Sequence, residues 1–180
     1  MDDPAVERAL DRLIRDVPDW PQPGVTFRDI TPMLADAGGL RTVIDGLTDL
    51  GRTLTDGPID RVVGIEARGF ILAVPVALAL GAGFVPVRKA GKLPAKTHAV
   101  SYDLEYGNAT LEMHTDALAP GDRTLVIDDV LATGGTVAAT SELIDMCGAT
   151  HVGTAVLLEL ATLAGRDRAG DTPLGALRVV

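Results

Sequence analysis

Two adjacent carboxylates stand directly before a short turn that contains two glycines. Asp128 and Asp129 follow an apolar run at residues 125–127, and Gly134 and Gly135 come shortly after them. An apolar run of this kind is typical of a buried parallel strand. Glycines at a strand-to-helix turn let backbone N–H groups converge at the positive end of a helix, where an anion binds. The order of residues predicts a strand, an acidic pair, an anion-binding loop and a helix.

The acidic pair and the turn that follows it suit two different parts of one ligand. We call the turn the glycine loop; it comprises Ala132, Thr133, Gly134, Gly135 and Thr136. Carboxylates repel a phosphate, but they accept hydrogen bonds from the 2′- and 3′-hydroxyls of a ribose whose 5′-phosphate reaches the loop. The alternative is a turn whose aspartates only cap a helix. No Gly-Lys-Ser/Thr follows, so this is not a Walker A loop, and a sugar phosphate is the expected ligand.

The ammonium groups of the chain are concentrated in one short segment. All three lysines, Lys89, Lys92 and Lys96, lie within residues 88–96, which we call the basic loop, whereas the whole chain carries a net charge of −9. An acidic protein needs local cationic focusing to bind a polyanion. We expect the basic loop to contact pyrophosphate, and a merely solvated loop is the alternative.

A second strand-to-helix junction carries an arginine. Residues 62–65 have the pattern of a short buried strand, and Glu66 and Arg68 follow before an apolar helix that begins near Phe70. Open parallel sheets bind ligands at the carboxyl ends of their strands. We expect Arg68 to meet an anion there; the alternative is a helix-start arginine paired with Glu66.

The segment from Ile127 to Thr136 resembles the ribose-5-phosphate-binding motif of the type I phosphoribosyltransferases, which use phosphoribosyl pyrophosphate (PRPP). Further blocks occur in the order found in the adenine-specific members of that family, at residues 27–30, 68–70, 88–94 and 101–107. The resemblance implies transfer of the 5-phosphoribosyl group from PRPP to adenine, with AMP and pyrophosphate as products. It also implies Mg²⁺ bound through the phosphates and the ribose, with no dedicated protein metal site, and a homodimer.

The resemblance assigns the two phosphate-bearing ends of PRPP to different residues. Asp128 and Asp129 hold the ribose hydroxyls, and the glycine loop holds the 5′-phosphate. Cleavage of the bond from C1′ to pyrophosphate leaves a ribosyl centre with oxocarbenium character and a departing polyanion. Arg68, Lys89 and Lys92 have the charge to stabilise that polyanion.

The family pattern places the purine base with two other segments. Thr26, Phe27 and Arg28 hold adenine, where the flat ring of Phe27 and the planar guanidinium suit an aromatic base. The alternative is Phe27 in a small core and Arg28 in an ordinary salt bridge. Glu105 handles a proton on the base near N7, and closure of its loop excludes water; a solvated glutamate in a mobile turn is the other interpretation.

The choice of adenine follows from two absences. Related enzymes for 6-oxopurines carry an aspartate where this chain has Ala132, and a lysine on the next strand, whereas residues 151–162 contain no lysine. One competing hypothesis keeps the reaction but changes the base to hypoxanthine, guanine or orotate. The other is a non-catalytic regulator that retains the PRPP site and binds nucleic acid; the acidic composition and Glu105 argue against it.

Composition limits the class of protein. The 180 residues are 47% hydrophobic, which suits one globular domain with a sizeable core. No apolar run has transmembrane length without charge, and the acidic amino terminus does not resemble a signal peptide, so we expect a cytoplasmic protein without a membrane partner. The net negative charge disfavours nucleic acid as a partner. The single cysteine, Cys147, cannot form an internal disulfide.

The elements that position these residues alternate between strand and helix through residues 60–158. This pattern predicts an α/β fold, an open, mostly parallel sheet flanked by helices, as in the type I phosphoribosyltransferase fold. An amphipathic helix of about four turns is expected from Pro4, capped by Asp3. We expect a single domain over residues 1–180, with an N-terminal helix and base-binding hood at 1–35, a core at 60–160 and a flexible catalytic loop at 89–107. Residues 159–168 are expected to form a loop.

Overall fold

The structure is a computed structural model that describes residues 3–103 and 108–180. The chain divides into two compact units, Met1–Gly46 and Leu47–Val180. Helix α3 (Ala37–Leu54) begins in the first unit and ends in the second. The predicted subdivision into a hood, a core and a flexible loop stays a prediction.

The first unit begins with the predicted helix. The Asp3 carboxylate accepts a hydrogen bond from the backbone N–H of Ala5 at 2.7 Å, and helix α1 (Pro4–Leu13) starts directly after it. The helix ends earlier than expected because the chain turns into strand β1 (Arg15–Val17), which pairs antiparallel with β2 (Phe27–Asp29). Helix α2 (Thr31–Ala35) follows. Val17, the last apolar residue of the predicted helix, belongs to this hairpin.

Across the described residues of the second unit, a sheet of seven strands has the order β5-β6-β4-β3-β7-β8-β9. Strands β4, β3, β7, β8 and β9 run parallel, whereas β5 and β6 are antiparallel at one edge. This confirms the predicted α/β fold with a mostly parallel sheet. The strand bounds are β3 Arg61–Ile65, β4 Gly83–Lys89, β5 Thr97–Asp103, β6 Asn108–His114, β7 Arg123–Leu131, β8 Thr150–Glu159 and β9 Leu174–Val179.

Helices cover the sheet and supply the rest of the core. They are the carboxyl-terminal part of α3, α4 (Arg68–Leu80), α5 (Gly135–Met146) and the short α6 (Gly165–Ala169), which a 3₁₀ turn at Ala161–Leu163 precedes. The central strands β3 and β7 bury Val63 and Val126 completely, and α5 packs Leu143 into the same cluster. Strands buried on both faces carry the near-continuous apolar runs that the sequence shows. None of the described helices has the length and apolar character needed to cross a membrane.

Two predicted loops contain regular structure. The segment from Lys89 to Tyr106 shows little periodicity, yet residues 97–103 form strand β5. Among the described strands this edge strand pairs with β6 alone. Val100 is buried in the core and Tyr102 packs against it, so few residues give the strand an apolar pattern. Residues 159–168, also predicted to be a loop, contain the 3₁₀ turn and most of α6. Helix α6 spans five residues, too few for helical periodicity to register.

Candidate functional site

The acidic pair lies inside strand β7, near its carboxyl end. Asp128 and Asp129 are 8% and 5% exposed. Asp128 Oδ1 accepts a hydrogen bond from the backbone N–H of Asp129 at 2.9 Å. Asp129 Oδ2 lies 2.6 Å from Arg68 Nε, yet it is buried without a hydrogen bond of acceptable geometry among the described residues. The short distance makes an ion pair that balances the charge of the buried carboxylate.

Burial dominates the electrostatics of this pair. It raises the pKa of Asp128 well above the ordinary value, and the charge of Asp129 raises it further. Burial also raises the pKa of Asp129, although the Arg68 guanidinium opposes that effect. When two carboxyl groups are buried side by side, ionisation of one disfavours ionisation of the other. Hydroxyl donors or a cation at this position would stabilise the ionised form of both.

The glycine loop joins β7 to helix α5 as predicted. Gly134 is the residue before the helix and has the left-handed φ of +78°, which favours glycine. A Cβ atom on Gly134 would collide with the carbonyl oxygen of Gly165. A Cβ atom on Gly135 would lie 2.8 Å from Cδ2 of Tyr102. Close packing thus requires glycine at both positions, and the first turn of α5 presents its N–H groups to the loop.

Helix α6 packs against the glycine loop, a contact that the sequence did not predict. A Cβ atom on Gly165 would collide with the carbonyl oxygen of Ala132. Arg166 holds this helix in place through two hydrogen bonds to Glu159, from Nε at 2.7 Å and from a terminal nitrogen at 2.6 Å. Its other terminal nitrogen donates to the carbonyl oxygen of Leu174 at 2.8 Å. A glutamate at the end of a buried strand, followed seven residues later by an arginine, was the available signal.

The turn after β3 packs against the acidic pair. Arg68 is the first residue of α4 and forms its ion pair with Asp129, so the alternative pairing with Glu66 is not what the structure shows. A Cβ atom on Gly69 would lie only 2.8 Å from Asp128 Oδ1. This close approach brings the predicted anion-binding arginine and the predicted ribose-binding carboxylates into contact.

The basic loop is joined to the same turn through Glu66. Lys92 Nζ donates to Glu66 Oε1 at 2.7 Å. Arg88 Nε and the backbone N–H of Lys89 each donate to Glu66 Oε2 at 3.2 Å. The structure therefore places Lys89 and Lys92 beside the turn that carries Arg68. As with helix α6, the sequence analysis gave Glu66 no role in the site.

The remaining predicted residues lie elsewhere. Thr26, Phe27 and Arg28 belong to the first unit, where the Phe27 ring packs edge-on against Trp20 with 4.5 Å between ring centroids. Arg28 forms an ion pair with Asp16. Glu105, the predicted proton-handling residue, lies outside the described residues. The structure leaves the predicted base-binding and proton-transfer roles untested.

Comparison with known proteins gives a consistent result. Residues 35–174 match the family described as phosphoribosyl transferase domain. An adenine phosphoribosyltransferase of Nocardioides sp. is 58% identical over 178 residues, which cover 98% of this chain and 96% of the relative.

Solved structures of proteins with the same name have the same fold. The adenine phosphoribosyltransferase of Rhodothermus marinus matches with a TM-score of 0.90 and 49% identity, covering 98% of this chain and 99% of that one. The Saccharomyces cerevisiae enzyme, solved with an imino-altritol bisphosphate and adenine, matches with a TM-score of 0.92 and 34% identity, covering 98% and 100%.

Proposed function

The chain belongs to the phosphoribosyl transferase family, and from that premise we infer that it transfers the 5-phosphoribosyl group of PRPP to adenine. The products are AMP and pyrophosphate, and the protein is a transferase. The observation that carries this conclusion is the contact between Arg68 and the acidic pair beside the glycine loop, in a chain 58% identical to an adenine phosphoribosyltransferase.

The ribose 5-phosphate half of PRPP is assigned to β7 and the glycine loop. Asp129, which forms an ion pair with Arg68, is assigned a hydrogen bond from a ribose hydroxyl. Asp128 lies beside it on the same strand. The 5′-phosphate then lies at the first turn of α5, on Ala132, Thr133, Gly134, Gly135 and Thr136, where backbone N–H groups and the helix dipole favour an anion.

The pyrophosphate half is assigned to Arg68, Lys89 and Lys92. Arg68 follows the carboxyl end of β3, Lys89 is the last residue of the neighbouring strand β4, and Lys92 comes shortly after it. Parallel sheets bind ligands at these strand ends. Negative charge builds on the leaving pyrophosphate as its bond to C1′ breaks, and fixed cations stabilise that charge more in the transition state than in the ground state. Arg68 also contacts Asp129, so it can interact with both the ribose half and the pyrophosphate half of PRPP.

Adenine is assigned to Thr26, Phe27 and Arg28, with Glu105 as the group that handles a proton near N7. The family resemblance supports these roles, and so does the chemistry, because attack by a purine nitrogen needs a base or acid close to the ring. The absence of a carboxylate at Ala132 leaves Glu105 to handle the proton.

Magnesium is proposed to arrive with PRPP. No group of three or more His, Cys, Asp or Glu side chains in residues 3–103 and 108–180 is placed to hold a metal ion. Mg²⁺ in phosphate-transfer sites commonly uses one or two carboxylates together with substrate phosphates, and Asp128 and Asp129 fit that donor set. Bound there, the ion would neutralise part of the phosphate charge.

A homodimer and a cytoplasmic location complete the proposal. Helix α4 exposes Ile71, Val74 and Leu78 at 47%, 40% and 77%, and this helical spacing gives one apolar stripe. A second copy of the chain would cover such a stripe, and sedimentation equilibrium measures whether it does. The cytoplasm suits an enzyme that consumes PRPP, because so highly charged a substrate does not cross membranes unaided; cell fractionation tests that location.

The reaction is tested by following phosphorus directly. Incubation of the protein with adenine, PRPP and Mg²⁺ in a ³¹P NMR tube should give AMP and pyrophosphate in equal amounts. A matched tube without adenine should leave PRPP intact. Pyrophosphate release that does not need adenine, or no reaction in either tube, would show that the proposed transfer is wrong.

A further inference from the structure

Glu66 joins two segments that are far apart in the sequence. Its side chain is only 10% exposed and lies directly after strand β3. It accepts hydrogen bonds from the side chains of Arg88 and Lys92 and from the backbone N–H of Lys89. A single carboxylate thus fixes the start of the basic loop against the turn that leads to Arg68.

The carboxylate stays charged in this place. Burial is the largest single effect and by itself raises the pKa of Glu66, but the hydrogen bonds from Lys92, Lys89 and Arg88 together hold the pKa below its ordinary value. One negative charge then faces three positive residues within 88–92, so the loop keeps a net positive charge. A polyanion is still attracted to it.

Other contacts of the basic loop hold its backbone. Arg88 donates from a terminal nitrogen to the carbonyl oxygen of Lys92 at 3.0 Å, and the N–H of Gly91 donates to Glu112 Oε2 at 3.0 Å. In these contacts Glu112 accepts a hydrogen bond from the loop backbone, whereas Glu66 accepts hydrogen bonds from two cationic side chains as well as from one backbone N–H. The two glutamates therefore make different contributions to the same loop.

We propose that Glu66 is a positioning residue that sets the directions of Lys92 and Arg88 before PRPP binds, and that the pyrophosphate end then takes over the Lys92 ammonium. Without Glu66 these long cationic side chains would repel one another and sample many rotamers, so the ligand would have to order them itself. This inference rests on the proposed function, because it assigns the basic loop to pyrophosphate.

The test compares Glu66→Gln with Glu112→Gln. Calorimetry with inorganic pyrophosphate and Mg²⁺ should show Glu66→Gln binding about tenfold more weakly than wild type, since it loses charge-assisted hydrogen bonds. Its kcat/KM for PRPP should fall at least as far, while its affinity for ribose 5-phosphate should stay within about twofold. Glu112→Gln should match wild type in all three measurements.

A double-mutant cycle separates positioning from general damage. If Glu66 acts partly through Lys92, the Glu66→Gln/Lys92→Gln variant should lose less pyrophosphate affinity than the two single losses predict when added. Should Glu66→Gln fold poorly, Glu66→Asp is the second variant. It keeps the negative charge on a side chain shorter by one methylene, and it should also weaken pyrophosphate binding.

Three results would overturn the inference: unchanged or tighter pyrophosphate binding by Glu66→Gln, additive effects in the cycle, or an equal loss of ribose 5-phosphate affinity. Tighter binding with unchanged kcat would show that Glu66 competes with the ligand. Wild-type protein that forms no AMP would contradict the proposed function instead, and the pyrophosphate titrations would still decide the role of Glu66.

Discussion

Asp129 combines burial and an ion pair in one side chain. Burial of a carboxylate costs free energy unless the charge is paired, and burial raises the pKa of Asp129. The Arg68 guanidinium, 2.6 Å away, lowers that cost. The proposed ribose hydroxyls would add hydrogen-bond donors to a carboxylate that Arg68 already pairs.

Removing the charge of the acidic pair should weaken PRPP binding. Asp128→Asn and Asp129→Asn each exchange a carboxylate for an amide that accepts fewer hydrogen bonds, and Asp129→Asn also removes the ion pair with Arg68. We expect PRPP affinity to fall about tenfold or more in each variant. Calorimetry measures the change, with the exposed Asp145→Asn on α5 as the control. Unaltered PRPP affinity in both site variants would show that the ribose assignment is wrong.

Glu105 is predicted to act in chemistry more than in binding. Glu105→Gln keeps the size of the side chain but cannot exchange a proton at neutral pH, so kcat should fall by roughly 10²-fold or more. The dissociation constant for PRPP should stay within a few fold. Steady-state kinetics and a PRPP titration on the same preparation check this, and an unchanged kcat would remove Glu105 from the reaction.

At the scale of elements, the glycine loop depends on packing between α5 and α6. Gly134→Ala introduces both an unfavourable left-handed backbone and a collision with Gly165. Gly121→Ala introduces the backbone cost alone, since apart from its chain neighbours no heavy atom of the described residues lies within 4 Å of its Cβ position. Gly121→Ala should lower the free energy of unfolding by roughly 1–2 kcal/mol. Gly134→Ala should cost more, and should also weaken ribose 5-phosphate binding.

Urea unfolding of the two alanine variants, with a ribose 5-phosphate titration, checks this difference. Equal losses of stability would mean that α6 does not constrain the loop. Intact ribose 5-phosphate affinity in Gly134→Ala would mean that the loop does not hold the phosphate.

Local sequence predicts some of these elements and not others. The β7 strand, the acidic pair and the glycine loop are contiguous, so an apolar run and two glycines are sufficient to predict them. The cluster around Glu66 brings together residues that are 22 to 26 positions apart, and no local pattern encodes such a contact. Helix α6 is short, and its contact with the loop depends on the Glu159–Arg166 pair.

At the scale of the whole molecule, a buried histidine links stability to pH. His151 bridges β8 and α5 by hydrogen bonds to Ser141 and Thr154, and burial lowers its pKa from 6.5 to about 4. His151 takes up a proton near pH 6.5 in the unfolded chain but only near pH 4 in the folded chain. Stability from neutral His151 is therefore complete above pH 6.5 and declines as the pH falls toward 4.

The size of this effect follows from the shift in pKa. It should reach on the order of 3 kcal/mol near pH 4, and the His151→Gln variant should lack it. Urea unfolding of both proteins at several pH values between 4 and 7.5 measures the difference. Parallel stability profiles for the two proteins would contradict the assignment to His151.

The central claim is tested most directly by offering the protein a choice of bases. Separate reactions contain PRPP, Mg²⁺ and adenine, hypoxanthine, guanine or orotate, and chromatography measures nucleotide formation. The structure and the family predict AMP in the adenine reaction and no nucleotide in the other three. Nucleotide from another base in place of adenine, or PRPP binding without product from any base, would contradict the account.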